Sequence, residues 1–301
     1  MYYYWAYGLT IRSSLLFPEL FPIEKTGTTD VELVIGDVPN SIAGEAGFRS
    51  THLMISSSEY LLHVNGIASY YVQEGNKLVI QPTEGADWES IRLFCLSNAF
   101  AALLHQRNLI PLHCSAFIDQ GELVLIMGES GAGKSTTLAA MINKGFIPFS
   151  DDVCVPVISE ANDELYLYSS YPMMKYWIDT YDKVDIAGGL KDRKIRPDQE
   201  KYGVYFHDRF SKTPMKVKRV VLIEKDTSAT ELSVRAIQGI ELFQRLERNA
   251  YRGEYIGFSG LQKEHFTLFS RIANTTKTML ISRPAEENSI AAVAEIILRD
   301  L

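Results

Sequence analysis

Cysteine is scarce in this chain of 301 residues. Its three cysteines, Cys95, Cys114 and Cys154, are an odd number without C-x-x-C spacing. Such a set predicts neither a disulfide framework nor a zinc cluster, and it fits a reducing compartment. The six histidines show no ligand spacing either, so the sequence indicates no zinc site.

An excess of basic charge and long apolar runs are missing too. Lys and Arg number 30 against 37 Asp and Glu, and the formal net charge is -7, which gives no overall attraction to nucleic acid or to an anionic membrane. No apolar run approaches the ~18 residues of a membrane span, and residues 1–7 lack the basic start of a signal peptide. We expect a cytoplasmic protein that binds neither nucleic acid nor a membrane, so any phosphate site must be local.

The first 86 residues have the pattern of a β-rich region. Short apolar runs are separated there by turn sequences such as Asn65-Gly66. Residues 88–106 then predict a helix, because apolar residues recur at three- and four-residue spacing after an acidic first turn. The predicted organisation is a β-rich N-terminal region at 1–86 and a second domain at 87–301.

From residue 111 onward, predicted strands and helices alternate, which is typical of an α/β layer. Apolar runs at 123–127 and 146–149 predict strands on either side of a helix at 134–143. The polar, Lys- and Arg-rich stretch at 188–219 predicts a loop-rich insertion. Further predicted elements are strands at 220–223 and 279–281 and helices at 240–248, at 265–273 and after Pro284. The predicted fold class is α/β.

The strongest local signal lies at residues 128–136, which match G-x-x-x-x-G-K-[ST] between an apolar strand and a helix. This is the setting of a phosphate-binding P-loop. Its glycines let backbone N–H groups curl around phosphates, and the helix N-terminus adds positive potential. Lys134 would reach the β- and γ-phosphates of ATP, and Ser135 would offer its hydroxyl to Mg²⁺. The predicted nucleotide contacts are Gly128, Glu129, Ser130, Gly131, Ala132, Gly133, Lys134, Ser135 and Thr136.

Two neighbouring carboxylates, Asp151 and Asp152, follow the next apolar run. A strand that follows the P-loop helix so directly should lie in the same sheet, with its carboxyl end near the phosphates. One carboxylate can hold Mg²⁺ while the other accepts the proton of an attacking hydroxyl. Without a P-loop nearby, an acidic turn that caps a strand would be the preferred interpretation.

The segment before the P-loop strand contains His113, Cys114 and Ser115. In an extended chain His113 and Ser115 share one face and Cys114 points to the other, so a nucleophilic pair of Cys114 and His113 is geometrically poor. We therefore expect no cysteine enzyme. As a residue type, an isolated histidine in such a segment is more often a satisfied core residue than a catalytic one.

Three segments, LIPLHCSAF, GESGAGKST and GFIPFSDDVCV, resemble the catalytic core of the HPr kinase/phosphorylase-like family in order and spacing. That family is related in fold to ATP-using phosphoenolpyruvate carboxykinases. The opening YWAYGLTIRSSLLFPEL is similar to the start of stand-alone relatives that phosphorylate the C-terminal serine of lasso-peptide precursors. The resemblance implies a P-loop core of this type after an N-terminal β-rich region, and a serine kinase that uses ATP and Mg²⁺.

Carried over residue by residue, the resemblance makes Asp151 the base toward the acceptor hydroxyl and Asp152 a metal ligand with Ser135. His113 would lie beside the base. The roles of the two aspartates could also be exchanged. The chain lacks the Leu-Glu-Ile-Arg-Gly segment and the Gly-Arg-Asn-Leu cluster of the bifunctional HPr kinases, so the resemblance implies neither phosphorolysis nor HPr as the substrate.

The basic stretch offers two candidates for closing over the triphosphate or receiving the acceptor, Arg196 and Lys201. A solvated loop with incidental charge is the equally weighted alternative. On these grounds the first hypothesis is a kinase of a precursor peptide in which Asp151, His113 and Lys134 are catalytic.

Other functions stay open at this point. They are a kinase of a free small molecule or of an HPr-like protein, and a nucleotide switch, which needs the P-loop but not both aspartates. A carboxykinase is disfavoured because the sequence offers no Lys and His metal set around the P-loop. The sequence is compatible with a homo-oligomer but fixes neither the oligomeric state nor the acceptor.

Overall fold

The computed structural model describes residues 1–159, 161–162, 164–177, 190–197, 200–285 and 289–301. These residues form a mixed α/β fold with two large β-sheets, which confirms the predicted class. None of the helices in these ranges is both long enough and apolar enough to cross a membrane. The cytoplasmic location stays a prediction.

The N-terminal region is a nine-stranded sheet with the order β3-β1-β2-β4-β9-β8-β7-β6-β5. Its strands are β1 (Tyr2–Ala6), β2 (Leu9–Ser13), β3 (Phe21–Pro22), β4 (Val31–Ile35), β5 (Phe48–Arg49), β6 (Leu53–Ile55), β7 (Glu59–Val64), β8 (Ala68–Gln73) and β9 (Lys77–Pro82). Buried and partly exposed residues alternate along β2 and β8, as expected for a sheet that covers a core on one face.

The predicted helix at 88–106 is present as two α-helices, α1 (Trp88–Phe94) and α2 (Phe100–Gln106), joined by a π-helical turn at Cys95–Ala99. Asp87 caps its start by accepting a hydrogen bond from the Ser90 N–H at 2.7 Å. The helices share one hydrophobic core with the N-terminal sheet. That packing joins them to the preceding sheet, whereas the boundary at 86/87 stays a prediction.

The second large sheet carries the P-loop. Its strands are β10 (Cys114–Asp119), β11 (Glu122–Met127), β12 (Ile147–Ser150), β13 (Cys154–Ile158), β14 (Leu165–Ser169), β18 (Met215–Asp226), β19 (Ser233–Ala236) and β20 (Lys277–Pro284). The strands β11, β18 and β20 run parallel, whereas β10 lies antiparallel between β11 and β12. The start of β10 therefore meets the ends of β11 and β12 at one edge of the sheet.

Helices cover both faces of this sheet. They are α3 (Lys134–Asn143), α4 (Gly239–Glu247), α5 (Ile256–Ser259), α6 (Gln262–Thr275) and α7 (Ile290–Asp300). The helices α3 and α7 pack together against one face, and α4 and α6 pack together against the other. This layered arrangement confirms the predicted alternation of strands and helices.

The prediction of a loop-rich insertion at 188–219 is wrong for the residues that the structure describes. A three-stranded sheet in the order β15-β17-β16 includes two strands from this stretch. Its strands are β15 (Met173–Trp177), β16 (Leu190–Lys194) and β17 (Lys201–Tyr205). The long β18 also begins inside the stretch. The density of Lys and Arg concealed the short strand β17, where Gly203 and Val204 are buried and Lys201 and Tyr205 are partly exposed.

Candidate active site

The P-loop connects the end of β11 to the start of α3, as the sequence predicts. The backbone of Gly128, Gly131 and Gly133 has positive φ, at 147°, 79° and 109°. A Cβ on Gly128 would lie 2.2 Å from the Ile223 carbonyl oxygen. The glycines therefore permit a loop path that other residues resist, and the first-turn N–H groups of α3 lie at its end.

Lys134 lies inside the loop. Its Nζ donates to the carbonyl oxygen of Gly128 at 2.7 Å and to that of Glu129 at 3.3 Å. Burial lowers the pKa of the ammonium, and the carboxylates of Asp152 and Asp151 oppose that shift. A buried cation that has only carbonyl partners in its own loop is suited to bind a more strongly charged phosphate oxygen.

Asp151 follows β12 and is almost fully buried, with 1% of its surface exposed. Its Oδ1 accepts hydrogen bonds from the hydroxyls of Ser115 at 2.6 Å and Ser135 at 2.9 Å. Its Oδ2 accepts one from the Lys175 backbone N–H at 3.0 Å. Asp151 therefore fixes the P-loop serine against β10 and β15, and its own acceptor positions are largely occupied.

Asp152 faces the cleft instead. Its Oδ2 lies 2.7 Å from the Lys175 Nζ, its Oδ1 lies 3.4 Å from His113 Nδ1, and 24% of the side chain is exposed. Burial would raise the carboxyl pKa, but the charge of Lys175, with a smaller contribution from the neighbouring His113, outweighs it and holds that pKa well below its usual range. The same pairing raises the pKa of Lys175 well above its usual value against the effect of burial.

His113 lies beside Asp152 rather than beside Asp151, the aspartate that the resemblance first made the base. Its Nδ1 is 2.9 Å from the Asp152 carbonyl oxygen. A carbonyl only accepts, so Nδ1 carries the hydrogen. Burial lowers the pKa of His113, which favours the neutral ring. Adjacent side chains along a chain point in different directions, so Asp151 and Asp152 meet different partners; the backbone at Asp152 also has a positive φ, 75°.

The candidate site is a cleft of about 230 Å³ between the P-loop and the three-stranded sheet. The sheet contributes Lys175, Trp177 and Lys201 to its lining. Of the two basic candidates, Lys201 is thus brought to the cleft. Arg196 is not, because its guanidinium carbon lies 5.4 Å from the centroid of the Phe94 ring on α1.

A buried asparagine links the parts of the site. Asn249 has 4% of its surface exposed. Its Oδ1 accepts from the Gly128 N–H at 2.8 Å, and its Nδ2 donates to the Arg245 carbonyl at 2.7 Å. Its backbone carbonyl accepts from the His113 N–H at 2.7 Å. Asn249 therefore holds the first P-loop glycine and the start of β10 in one fixed relation.

Sequence reasoning missed Lys175 and Asn249. The signal for Lys175 was available, since a lysine within the apolar run at Met173–Trp177 must find a counter-charge if the strand is buried. No pattern marks Asn249 as a residue with this role.

A second cleft, of about 190 Å³, lies next to the P-loop. Its lining residues are Gly128, Glu129, Ser130, Ala132, Leu222, Ile223, Glu224, Lys225, Arg245, Arg248, Asn249 and Leu280.

The cysteines match the sequence interpretation. Cys95, Cys114 and Cys154 are all free and buried. Burial raises the pKa of the Cys114 thiol well above its usual value, with a further rise from Cys154. A thiol in this environment is a poor nucleophile.

The residues of the cleft fit a nucleoside triphosphate and Mg²⁺. In the described part of the chain, no group of three or more His, Cys, Asp and Glu side chains could hold a metal ion. Mg²⁺ bound with a nucleotide needs no such cage, because it takes one or two protein oxygens and completes its shell with phosphates and water. The Ser135 hydroxyl oxygen at the end of the P-loop, held by Asp151 at 2.9 Å, supplies one such oxygen.

Comparisons with known proteins find structural similarity only. No family model and no curated protein matches the sequence. The fold is similar to the solved structure of the Hpr(Ser) kinase/phosphatase from Coxiella burnetii, at 14% sequence identity and a TM-score of 0.33. The match covers 63% of this chain and 89% of that one.

Proposed function

We propose that this protein is a kinase that transfers the γ-phosphoryl group of Mg²⁺-bound ATP to a hydroxyl, and that its acceptor is a serine of a peptide. The observation that carries the proposal is the convergence of two differently placed aspartates on one P-loop. Asp151 accepts a hydrogen bond from Ser135, and Asp152 faces the same cleft as Lys134. A nucleotide switch without transfer needs only the first of these.

In this mechanism the P-loop binds the triphosphate of ATP. Backbone N–H groups of residues 129–136 and the start of α3 supply positive potential for the phosphates. Lys134 exchanges its carbonyl partners for phosphate oxygens. Ser135, oriented by Asp151, is the protein ligand for Mg²⁺, and the bound ion supplies neutralisation of charge on the β- and γ-phosphates.

Asp152 acts on the acceptor hydroxyl. Its carboxylate stays ionised because Lys175 and His113 hold its pKa low. It accepts a hydrogen bond from the acceptor hydroxyl and takes the proton as the bond from oxygen to phosphorus forms and the bond to the leaving oxygen breaks. A weak base serves here because phosphoryl transfer has a loose transition state, in which orientation of the nucleophile counts more than its deprotonation. The two aspartate roles are thus exchanged relative to the first sequence assignment.

The identity of the acceptor is the more specific part of the proposal. The opening segment is similar to kinases of lasso-peptide precursors, so we propose the C-terminal serine of such a precursor peptide as the substrate. A free amino acid or another small hydroxyl compound is the competing acceptor. A protein acceptor of the HPr type would instead need a docking surface around the cleft.

The experiment is a transfer assay with ATP labelled in its γ-phosphate, offered with serine-ended peptides, with the same peptides ending in alanine, and with free serine. We expect label on the terminal serine of the peptide, located by mass spectrometry, and none on the alanine peptide. Label on free serine at a comparable rate supports the small-molecule alternative. Tight ATP binding without transfer to any hydroxyl would reject a kinase.

A further inference from the structure

The far wall of the cleft contains a cation held against an aromatic ring. Lys201 of β17 and Trp177 of β15 are register partners in the three-stranded sheet. The Lys201 Nζ lies 5.6 Å from the centroid of the Trp177 ring, within the range of a cation–π contact. The indole is 56% exposed, so the pair presents both a charge and a flat apolar surface to the cleft.

Lys201 differs from the other two lysines of the cleft. Lys134 donates to two carbonyls of its own loop, and Lys175 forms an ion pair with Asp152. In the described ranges of the chain, no carboxylate oxygen lies within 4.0 Å of the Lys201 Nζ. Burial, followed by the charge of Lys175, lowers the pKa of the Lys201 ammonium. A partly buried ammonium in this situation is stabilised by an anionic ligand.

The sheet position of Lys201 indicates which ligand that is. Lys201 lies in the three-stranded sheet that also carries Lys175, the ion-pair partner of Asp152, and it lines the cleft together with Asp152 and the P-loop. An acceptor hydroxyl that reacts must lie at Asp152. The atoms attached to that hydroxyl therefore extend into the space between Asp152 and the Lys201–Trp177 pair, whereas the triphosphate lies along residues 128–136.

We propose that Lys201, held over the Trp177 ring, binds a carboxylate of the acceptor that is adjacent to the phosphorylated hydroxyl. This inference rests on the proposed function and names the chemistry of its substrate. In a peptide, a carboxylate adjacent to a serine hydroxyl is the C-terminal α-carboxylate of that serine. A compact ammonium binds such a group as a point charge, and the indole face accommodates the apolar atoms of the preceding residue.

The test uses two acetylated peptides that are identical except at their end, one with a serine carboxylate and the other with a serine carboxamide. We expect the wild-type protein to favour the carboxylate peptide by about ten- to a hundredfold in kcat/KM, the range for a charge-assisted contact. Lys201→Met should remove most of this preference, and Lys201→Arg should retain part of it. Lys194→Met is the matched control, since it removes a lysine of the same sheet that pairs with Glu200 on the protein surface.

Calorimetric titration of both peptides into the protein with a non-hydrolysable ATP analogue provides a readout separate from transfer. Equal wild-type rates on the two peptides overturn the inference and leave the kinase intact. Equal losses on both peptides in Lys201→Met, with a raised KM for ATP, place Lys201 at the triphosphate and also overturn it. Preferential binding of the carboxylate peptide that depends on Lys201, without transfer to either peptide, retains the subsite and rejects the kinase.

Discussion

The two walls of the cleft are built on different principles. The P-loop wall, residues 128–136, is a single stretch of chain that offers backbone N–H groups and one lysine. The charged wall, formed by His113, Asp152, Lys175, Trp177 and Lys201, gathers residues from several elements around an ion pair. The first wall is suited to phosphate oxygens, whereas the second is suited to a group that complements its fixed charges.

The difference teaches how binding and reaction are divided in this protein. Substitutions in the P-loop wall should change affinity for ATP and transfer together. Substitutions in the charged wall should change transfer, or the choice of acceptor, with little effect on ATP affinity. The predictions that follow test this division, beginning with the largest expected effect.

Lys134→Ala should abolish the function of the P-loop wall. The variant loses the point charge on the β- and γ-phosphates, so we expect kcat/KM to fall by about 10³ or more. Folding should stay nearly intact. Lys144→Ala is the matched control, because Lys144 follows the same helix and pairs with Glu295 at the surface. Wild-type turnover in a folded Lys134→Ala protein would remove the P-loop from the mechanism.

Asp152→Asn should slow phosphoryl transfer without changing the P-loop wall. The amide keeps the size of the side chain but cannot take the hydroxyl proton, so transfer should fall by about 10² while ATP affinity stays near the wild-type value. Asp151→Asn should weaken Mg²⁺-dependent ATP binding as well, since the neutral amide holds Ser135 less firmly and places an NH2 group against the Lys175 backbone N–H. Calorimetry and single-turnover transfer separate the two, and the opposite pattern would restore the first assignment of roles.

Asn249→Ala should weaken the contact that holds the P-loop against the start of β10. It leaves the buried Gly128 N–H without its acceptor, which costs about 1–3 kcal/mol. We expect a loss of stability of that size in urea unfolding and a rise in KM for ATP of about tenfold. Asn98→Ala offers a control, because Asn98 accepts a hydrogen bond from Arg252 far from the loop. An unchanged KM would show that the loop keeps its shape without this contact.

The smallest effect on catalysis is expected for substitution of His105, which lies behind the charged wall. His105 on α2 is buried, with Nε2 at 3.2 Å from the Tyr251 carbonyl, and the Tyr251 ring contacts His113. Burial lowers the pKa of His105 from 6.5 to about 4. As pH falls from 6.5 toward 4, the unfolded chain takes up a proton that the folded chain does not, so stability should fall by on the order of 3 kcal/mol.

Chemical unfolding at several pH values checks this prediction. His105→Gln should flatten the acid loss of stability, and the exposed His52→Gln should leave it in place. Transfer at pH 7 should be little altered in both variants. A His105→Gln protein with the wild-type pH dependence would assign the acid sensitivity to another group.

The sequence predicted the P-loop wall well because its chemistry is local. Nine adjacent residues between a strand and a helix define the loop, and the glycine positions have the backbone that the motif requires. The strand that ends before Asp151 was predicted as well, whereas the hydrogen bond from Ser115 to Asp151 was not. The predicted features need no knowledge of distant segments.

The charged wall was harder to predict because it depends on the path of the chain. Which carboxylate meets His113 depends on the backbone path through Asp151 and Asp152, where Asp152 has a positive φ. Lys175 reaches Asp152 only because a small separate sheet packs over the P-loop sheet. Likewise, the N-terminal sheet and the helices at 88–106 were predicted as elements, but their shared core depends on long-range packing.

The positive φ of Asp152 limits which substitutions can be interpreted. Glycine, asparagine and aspartate tolerate the left-handed region, whereas alanine, glutamate and most other residues are strained there by about 1–2 kcal/mol. Alanine scanning at this position would therefore report a displaced backbone and a lost carboxylate together. For the same reason, a search for altered-function variants should find Asp, Asn and Gly at position 152 far more often than Glu, although glutamate would preserve the charge.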